Sequence, residues 1–124
     1  MAEAFPASPK EAILIFHLAD RVKSELLIAS SLLNTVLQLK EAEQEGGRKV
    51  LLEYFRALDR EVALSRSMIK DPEMVRVQTV MTGLVGMVNA GPLHEVQNHL
   101  TWVISNMTTH AQRAMQFLMD KKLL

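Results

Sequence analysis

Four histidines and no cysteine set the limits of the metal and acid–base chemistry open to this chain. Two of them bracket the run His94-Glu95-Val96-Gln97-Asn98-His99. Histidines on a helix share a zinc ion when they stand four apart on one face, with an intervening Glu as base. Here they are five apart, which at about 100° per residue turns the rings ~140° away from each other. The run therefore predicts two independent histidines, with His94 solvated in the first turn after Pro92. His99 and His110 share a face, but ~16 Å of helix lies between them, too far for one ion. No Glu-x-x-His occurs anywhere in the chain, so the di-iron bundle arrangement is excluded. No metal site is expected. Axial haem ligation needs only His or Met, and a small-molecule or haem pocket would draw on Met81, Met87, His99 and His110, beside Trp102. Against it stands the plainer reading of His110 as a core histidine hydrogen-bonded to a neighbouring helix, and no cofactor is expected.

Nucleophilic and phosphate chemistry find less support. Ser24, Ser30, Ser31, Ser65, Ser67 and Ser105 all fall in helical stretches, with no G-x-S-x-G elbow. Gly83-Leu84-Val85-Gly86 lacks the Lys-Ser or Lys-Thr of a phosphate loop. Gly46-Gly47-Arg48-Lys49 could hold an anion at a helix start, or could be a turn whose cations offset Glu41, Glu43 and Glu45. Lys49, Arg56, Arg60 and Lys70 form a basic stripe, the candidate anion- or RNA-contacting surface. Glu53 and Asp59 interrupt it and no aromatic residue interleaves it, so a solvated face is the stronger reading. Lys plus Arg balance Asp plus Glu at 14 each, which gives no global attraction to nucleic acid and little charge repulsion against self-association.

Elements that could position these residues are marked by sparse punctuation, with prolines only at 6, 9, 72 and 92. Residues 1–8 read as a disordered tail and 9–124 as a single domain. Ser8-Pro9-Lys10-Glu11 opens a first helix with a capping box. Ala12, Ile15, Ala19, Val22, Leu26, Ala29, Leu33 and Val36 follow at steps of three and four, a helical seam. This long first helix is expected over 9–44, stopped by Gly46-Gly47, with a break near Ser30-Ser31 or Asn34-Thr35 as the alternative. A second helix is expected over 48–70 on Leu51, Phe55, Leu58, Val62, Ser65 and Ile69. Asp71-Pro72-Glu73 starts a third over 72–89 on Val77, Val80, Met81, Leu84, Met87 and Val88. Its valines, threonines and glycines weaken the helical reading, but no second strand exists to pair with Thr79–Val88. Gly83 and Gly86 would allow close packing or a mobile helix. A fourth helix is expected over 92–120 on Leu93, Val96, Leu100, Val103, Met107, His110, Ala114 and Phe117. Short turns between long helices predict an all-α, up-down antiparallel four-helix bundle. The opening MAEAFPASPK has no basic region followed by an apolar run, and no window approaches ~20 apolar residues. A soluble, cytoplasmic chain is expected.

Several apolar residues fall off these seams. Leu14 and Ile28 lie seven residues either side of Arg21, with Ile13 and Leu27 adjacent; Met115 and Met119 stack four apart, and Trp102 stands beside His99. Trp and Met are enriched at interfaces. Leu14, Leu27, Ile28, Trp102, Met115 and Met119 are therefore the candidate partner-binding residues, with a core that reaches around each helix as the plain alternative. The expected function is a non-catalytic protein–protein interaction module: an adaptor, chaperone-like protein or assembly subunit, homodimeric or docked on another protein through the outer faces of helices 1 and 4.

Overall fold

The computed structural model describes residues 6–123 and shows four α-helices: α1 (Pro9–Leu37), α2 (Glu41–Met68), α3 (Glu73–Ala90) and α4 (Leu93–Asp120). There is no strand among the described residues. Each helix packs on its sequence neighbours and α1 closes the ring against α4, while the diagonal pairs stay apart. Connections of two to four residues force successive helices to run antiparallel. Of the tail expected over residues 1–8, residues 1–5 lie outside the described residues. Pro6 is already buried, and the Ser8 side chain accepts a hydrogen bond from the Glu11 backbone N–H at 3.2 Å, capping α1.

α1 ends at Leu37, not near residue 44, and the glycine pair does not stop it. The chain instead turns at Gln38-Leu39-Lys40, where Lys40 is extended and opens α2, and the Gln44 side chain donates to the Val36 carbonyl at 3.3 Å. Glycine stops a helix by adopting positive φ, and no glycine here does so. Gly46 and Gly47 sit inside the early turns of α2. Gly47 is there for space: a Cβ at that position would lie 2.9 Å from Leu39 Cδ1 and 3.2 Å from both Val36 γ-carbons. The tight α1–α2 turn leaves little room for a side chain there.

α3 is helical through Thr79–Val88. Thr79 hands its hydroxyl proton to the Val75 carbonyl one turn back, a bond that lets a threonine sit inside a helix. Gly83 and Gly86 face open space, with nothing within 4 Å of an added Cβ, so close helix packing is not their reason. No packing reason for them is visible. α3 has 18 residues against 28 or 29 for the others, making it ~27 Å long where they exceed ~40 Å. It therefore covers α4 only as far as His110.

The seams converge on one core in which Phe55, Leu26, Leu33, Leu58, Met81 and Leu100 are fully buried. Burial of each such side chain contributes about 1.5–3 kcal/mol. Met74 and Leu118 join the core, whereas Val80, Met87 and Phe117 are only half-buried at its edge. No helix among the described residues is long and apolar enough to cross a membrane.

Candidate interaction surfaces

The six candidate partner-binding residues do not form one surface. The structure distributes them over three faces, and one of those faces gains residues from α2 that the sequence reading left out. Arg21 on α1 meets Glu61 on α2 at 2.8 Å, and the Tyr54 hydroxyl donates to the Glu25 carbonyl at 3.1 Å. These contacts fix the antiparallel register of the pair. Heptad steps from Arg21–Glu61 stay on the same face, so Leu14 comes level with Met68, Leu18 with Leu64, Ile28 with Tyr54 and Leu32 with Val50. α1 thus carries Leu14, Leu18, Arg21, Glu25, Ile28 and Leu32, and α2 carries Val50, Tyr54, Ala57, Glu61, Leu64 and Met68. Both rows follow the alternation of four and three that marks a helix-packing seam. Leu18 and Tyr54 pack half-buried against the core, and the other apolar side chains toward the row ends stand outside it. Ile28 is 52%, Leu64 55% and Val50 70% exposed, with Leu14, Leu32 and Met68 exposed beside them. Scattered exposed leucines are ordinary, but these stand in two facing rows at heptad spacing, which makes the face a candidate packing surface.

The middle of this seam is charged. Arg21 donates from Nε to Glu25 at 3.0 Å and from Nη2 to Glu61 at 2.8 Å. One guanidinium serves two carboxylates. Burial and the neighbouring Glu25 raise the Glu61 carboxyl above the usual carboxylate range, against the opposing pull of Arg21. Glu25 and Glu61 in turn raise Arg21. Burial, with the same two carboxylates nearby, raises the Tyr54 phenol. Along the α2 edge stand the exposed Lys49, Arg56 and Arg60. Arg56 is paired with Glu53 at 2.8 Å, whereas Lys49 and Arg60 have no acidic partner among the described residues. Lys70 leaves this stripe: it follows α2 in the turn, where its ammonium donates to the Ser67 carbonyl at 3.1 Å. Arg48 is likewise engaged. It holds Glu45 and donates from Nη1 to the Val88 and Gly91 carbonyls at 2.9 and 3.0 Å. This places a cation on the negative end of α3 and leaves no anion cradle at Gly46–Lys49.

The second face is the groove between α1 and α4. A cleft of about 470 Å³ is lined by Ile13, Phe16, His17, Asp20, Arg21, Met115 and Leu118. Through Phe16, Asp20 and Met115 it continues into a more polar one of about 630 Å³ that reaches Lys23 and Arg113. Met119 stands exposed on this flank of α4, and Leu27, seven residues on from Asp20, lies exposed on the matching flank of α1. Met115 itself is half-buried.

Trp102 belongs to the third face, toward α3. The Arg76 guanidinium stacks 5.3 Å above its ring and is tied to Glu73 at 3.1 Å. These residues rim a cleft of about 330 Å³ whose wall includes Asn106, His110 and Arg113. His110 is only 2% exposed. Its Nδ1 lies 2.9 Å from the Asn106 carbonyl and its Nε2 2.7 Å from Asp71 Oδ2. A carbonyl only accepts, so Nδ1 donates. A bare nitrogen facing a bare carboxylate at that distance would repel it, so a proton lies between Nε2 and Asp71. The other carboxylate oxygen of Asp71 accepts from the Glu73 backbone N–H at 3.1 Å, capping α3. One aspartate therefore both starts α3 and fastens it to α4.

No ligand pocket gathers from Met81, Met87, His99 and His110. Met81 is sealed in the core, Met87 lies near the far end of α3 against Gly91, and His99 is exposed on α4. His94 and His99 both face solvent, and no group of three metal-binding side chains forms among the described residues. Comparison with family models, with curated proteins and with solved structures returns no match.

Proposed function

We propose that the chain is a non-catalytic protein–protein interaction module, of the adaptor, chaperone-like or assembly-subunit kind. The double apolar row on the outside of α1 and α2 carries this reading. Buried apolar area is the main driving force for association, and interfaces bury it around a few central anchors. Leu14 and Ile28 retain the anchor role, joined by Val50, Leu64 and Met68. The α1–α4 groove, with Ile13, Met115 and Met119, is the second surface and the place for self-association through helices 1 and 4. A structural role for the buried acid–base pair supports the non-catalytic reading, because His110 and Asp71 are bound to each other and to backbone groups.

The test is a quantitative pull-down from native cells with three baits: wild type, Leu64→Glu with Val50→Glu, and Met119→Glu. Specific partners lost with the first variant and kept with the second support docking on α1–α2. Loss only with Met119→Glu moves the interface to the α1–α4 groove. An interactome unchanged by both variants refutes the module.

A further inference from the structure

The α1–α2 seam also carries information about what covers it. From the level of Leu14 to that of Leu32 it runs ~27 Å, about five helical turns. Its middle holds one cation and two anions, Arg21 with Glu25 and Glu61. Its α2 edge carries the unpaired Lys49 and Arg60 beside the mutually paired Arg56 and Glu53, while His17, Ser24 and Ser31 on the α1 edge bring no carboxylate. The pattern is apolar at both ends, negative in the middle and carries a net excess of cations along one side.

We propose that this seam binds one amphipathic helix of another protein, with apolar residues at heptad spacing, a Lys or Arg at its midpoint, and acidic residues on the flank that lies over α2. The proposal rests on the interaction-module reading and gives it a partner chemistry. A groove between two antiparallel helices with heptad rows receives a third helix by the same knobs-into-holes packing. A second copy of this chain fits less well. A two-fold interface places a surface against itself, so two guanidiniums would face four carboxylates in a drying interface, and a buried charge excess is costly. A basic residue at the midpoint of a partner balances the excess. Acidic residues over Lys49 and Arg60 then fix which way round the helix lies. Burial first, and then the neighbouring Glu25, raises the Glu61 carboxyl, and a partner cation seated there would act against both.

Labelled synthetic helices of about 20 residues test this by fluorescence anisotropy with the full chain. One has leucines at heptad spacing, a central Lys and an acidic flank; a second replaces the central Lys with Glu. The central-Lys helix is expected to bind at least about tenfold more tightly. Replacing both Glu25 and Glu61 with Gln should shrink that preference to about twofold or less. Leu64→Glu should abolish binding while circular dichroism shows an intact fold, since Leu64 is a surface residue. Equal binding of the two helices, or binding indifferent to Leu64→Glu, overturns the proposal. So does a dimer by light scattering that Leu64→Glu dissociates, which would assign the seam to a second copy. If the peptides fail while Val50 and Leu64 substitutions still release cellular partners, the module stands and only the helix chemistry falls.

Discussion

Substituting Asp71 separates the two contributions that its single carboxylate makes. Asp71→Ala removes the cap on the Glu73 N–H, a loss of about 0.5–2 kcal/mol. It also removes the 2.7 Å bond to His110 Nε2 at a site only 2% exposed, and losing a buried, charge-assisted hydrogen bond costs about 1–3 kcal/mol. The sum is about 1.5–5 kcal/mol. Asp71→Asn should behave differently. Its amide oxygen still caps α3, and its NH₂ can donate to Nε2 of a ring protonated only on Nδ1, so the cost should stay below about 1 kcal/mol. Urea unfolding, followed by helical circular dichroism and by Trp102 fluorescence, measures both. With a denaturant slope of about 1.5 kcal/mol per molar, the alanine midpoint should fall by roughly 1.0–3.3 M and the asparagine midpoint by less than about 0.7 M. Alanine and asparagine variants within about 0.5 kcal/mol of each other would refute the idea that one side chain both caps α3 and fastens α4.

Gly83→Ala and Gly86→Ala should each raise stability by up to about 1 kcal/mol, because helical glycine is costly and both positions open onto free space. Gly46→Ala should gain similarly, whereas Gly47→Ala should gain less or lose, since its methyl group meets Leu39 and Val36; thermal melts of the four variants give the order. Arg48→Ala should cost about 1 kcal/mol by uncapping the α3 C-terminus, and amide hydrogen exchange should rise first around Val88 and Gly91. Glu61 binds protons more tightly folded than unfolded, owing to burial and Glu25. Its contribution is therefore fully favourable below the ordinary carboxylate range and is lost as pH rises through the folded value. Glu61→Gln should be relatively more stable than wild type at pH 7, with the difference vanishing below about pH 4; a constant difference across that window would contradict the charge excess.

The helix seams facing the core could be read directly, because steps of three and four from Ala12 to Val36 or from Leu51 to Ile69 leave little choice of face. The first turn could not. Gly46-Gly47 has the composition of a helix stop, and only the approach of Val36 and Leu39 shows that Gly47 serves packing instead. Gln38-Leu39-Lys40, where the chain does turn, carries no proline or glycine. The α1–α2 surface was half legible. Leu14 and Ile28 stood out around Arg21, but Val50, Leu64 and Met68 join them only through the register of two helices, which no single-helix pattern contains. Asp71 reads as a cap from its own neighbourhood. Its second partner lies 39 residues away and becomes visible only once α3 and α4 are side by side.

The most extensive helix contact joins α1 to α4, the outer two of the four helices in sequence order. Roughly 80 residues separate the end of α1 from the end of α4, which at about 5–20 residues per second takes some 4–16 s to translate. Throughout that interval Phe16 and the α4-facing side of α1 have no native cover. During synthesis α1 is thus made well before the helix that covers it, and its α4-facing side waits exposed to chaperones and to aggregation. A circular permutant opened at Gln38–Lys40, with α4 leading directly into α1, would turn that late long-range contact into a hairpin and should fold faster.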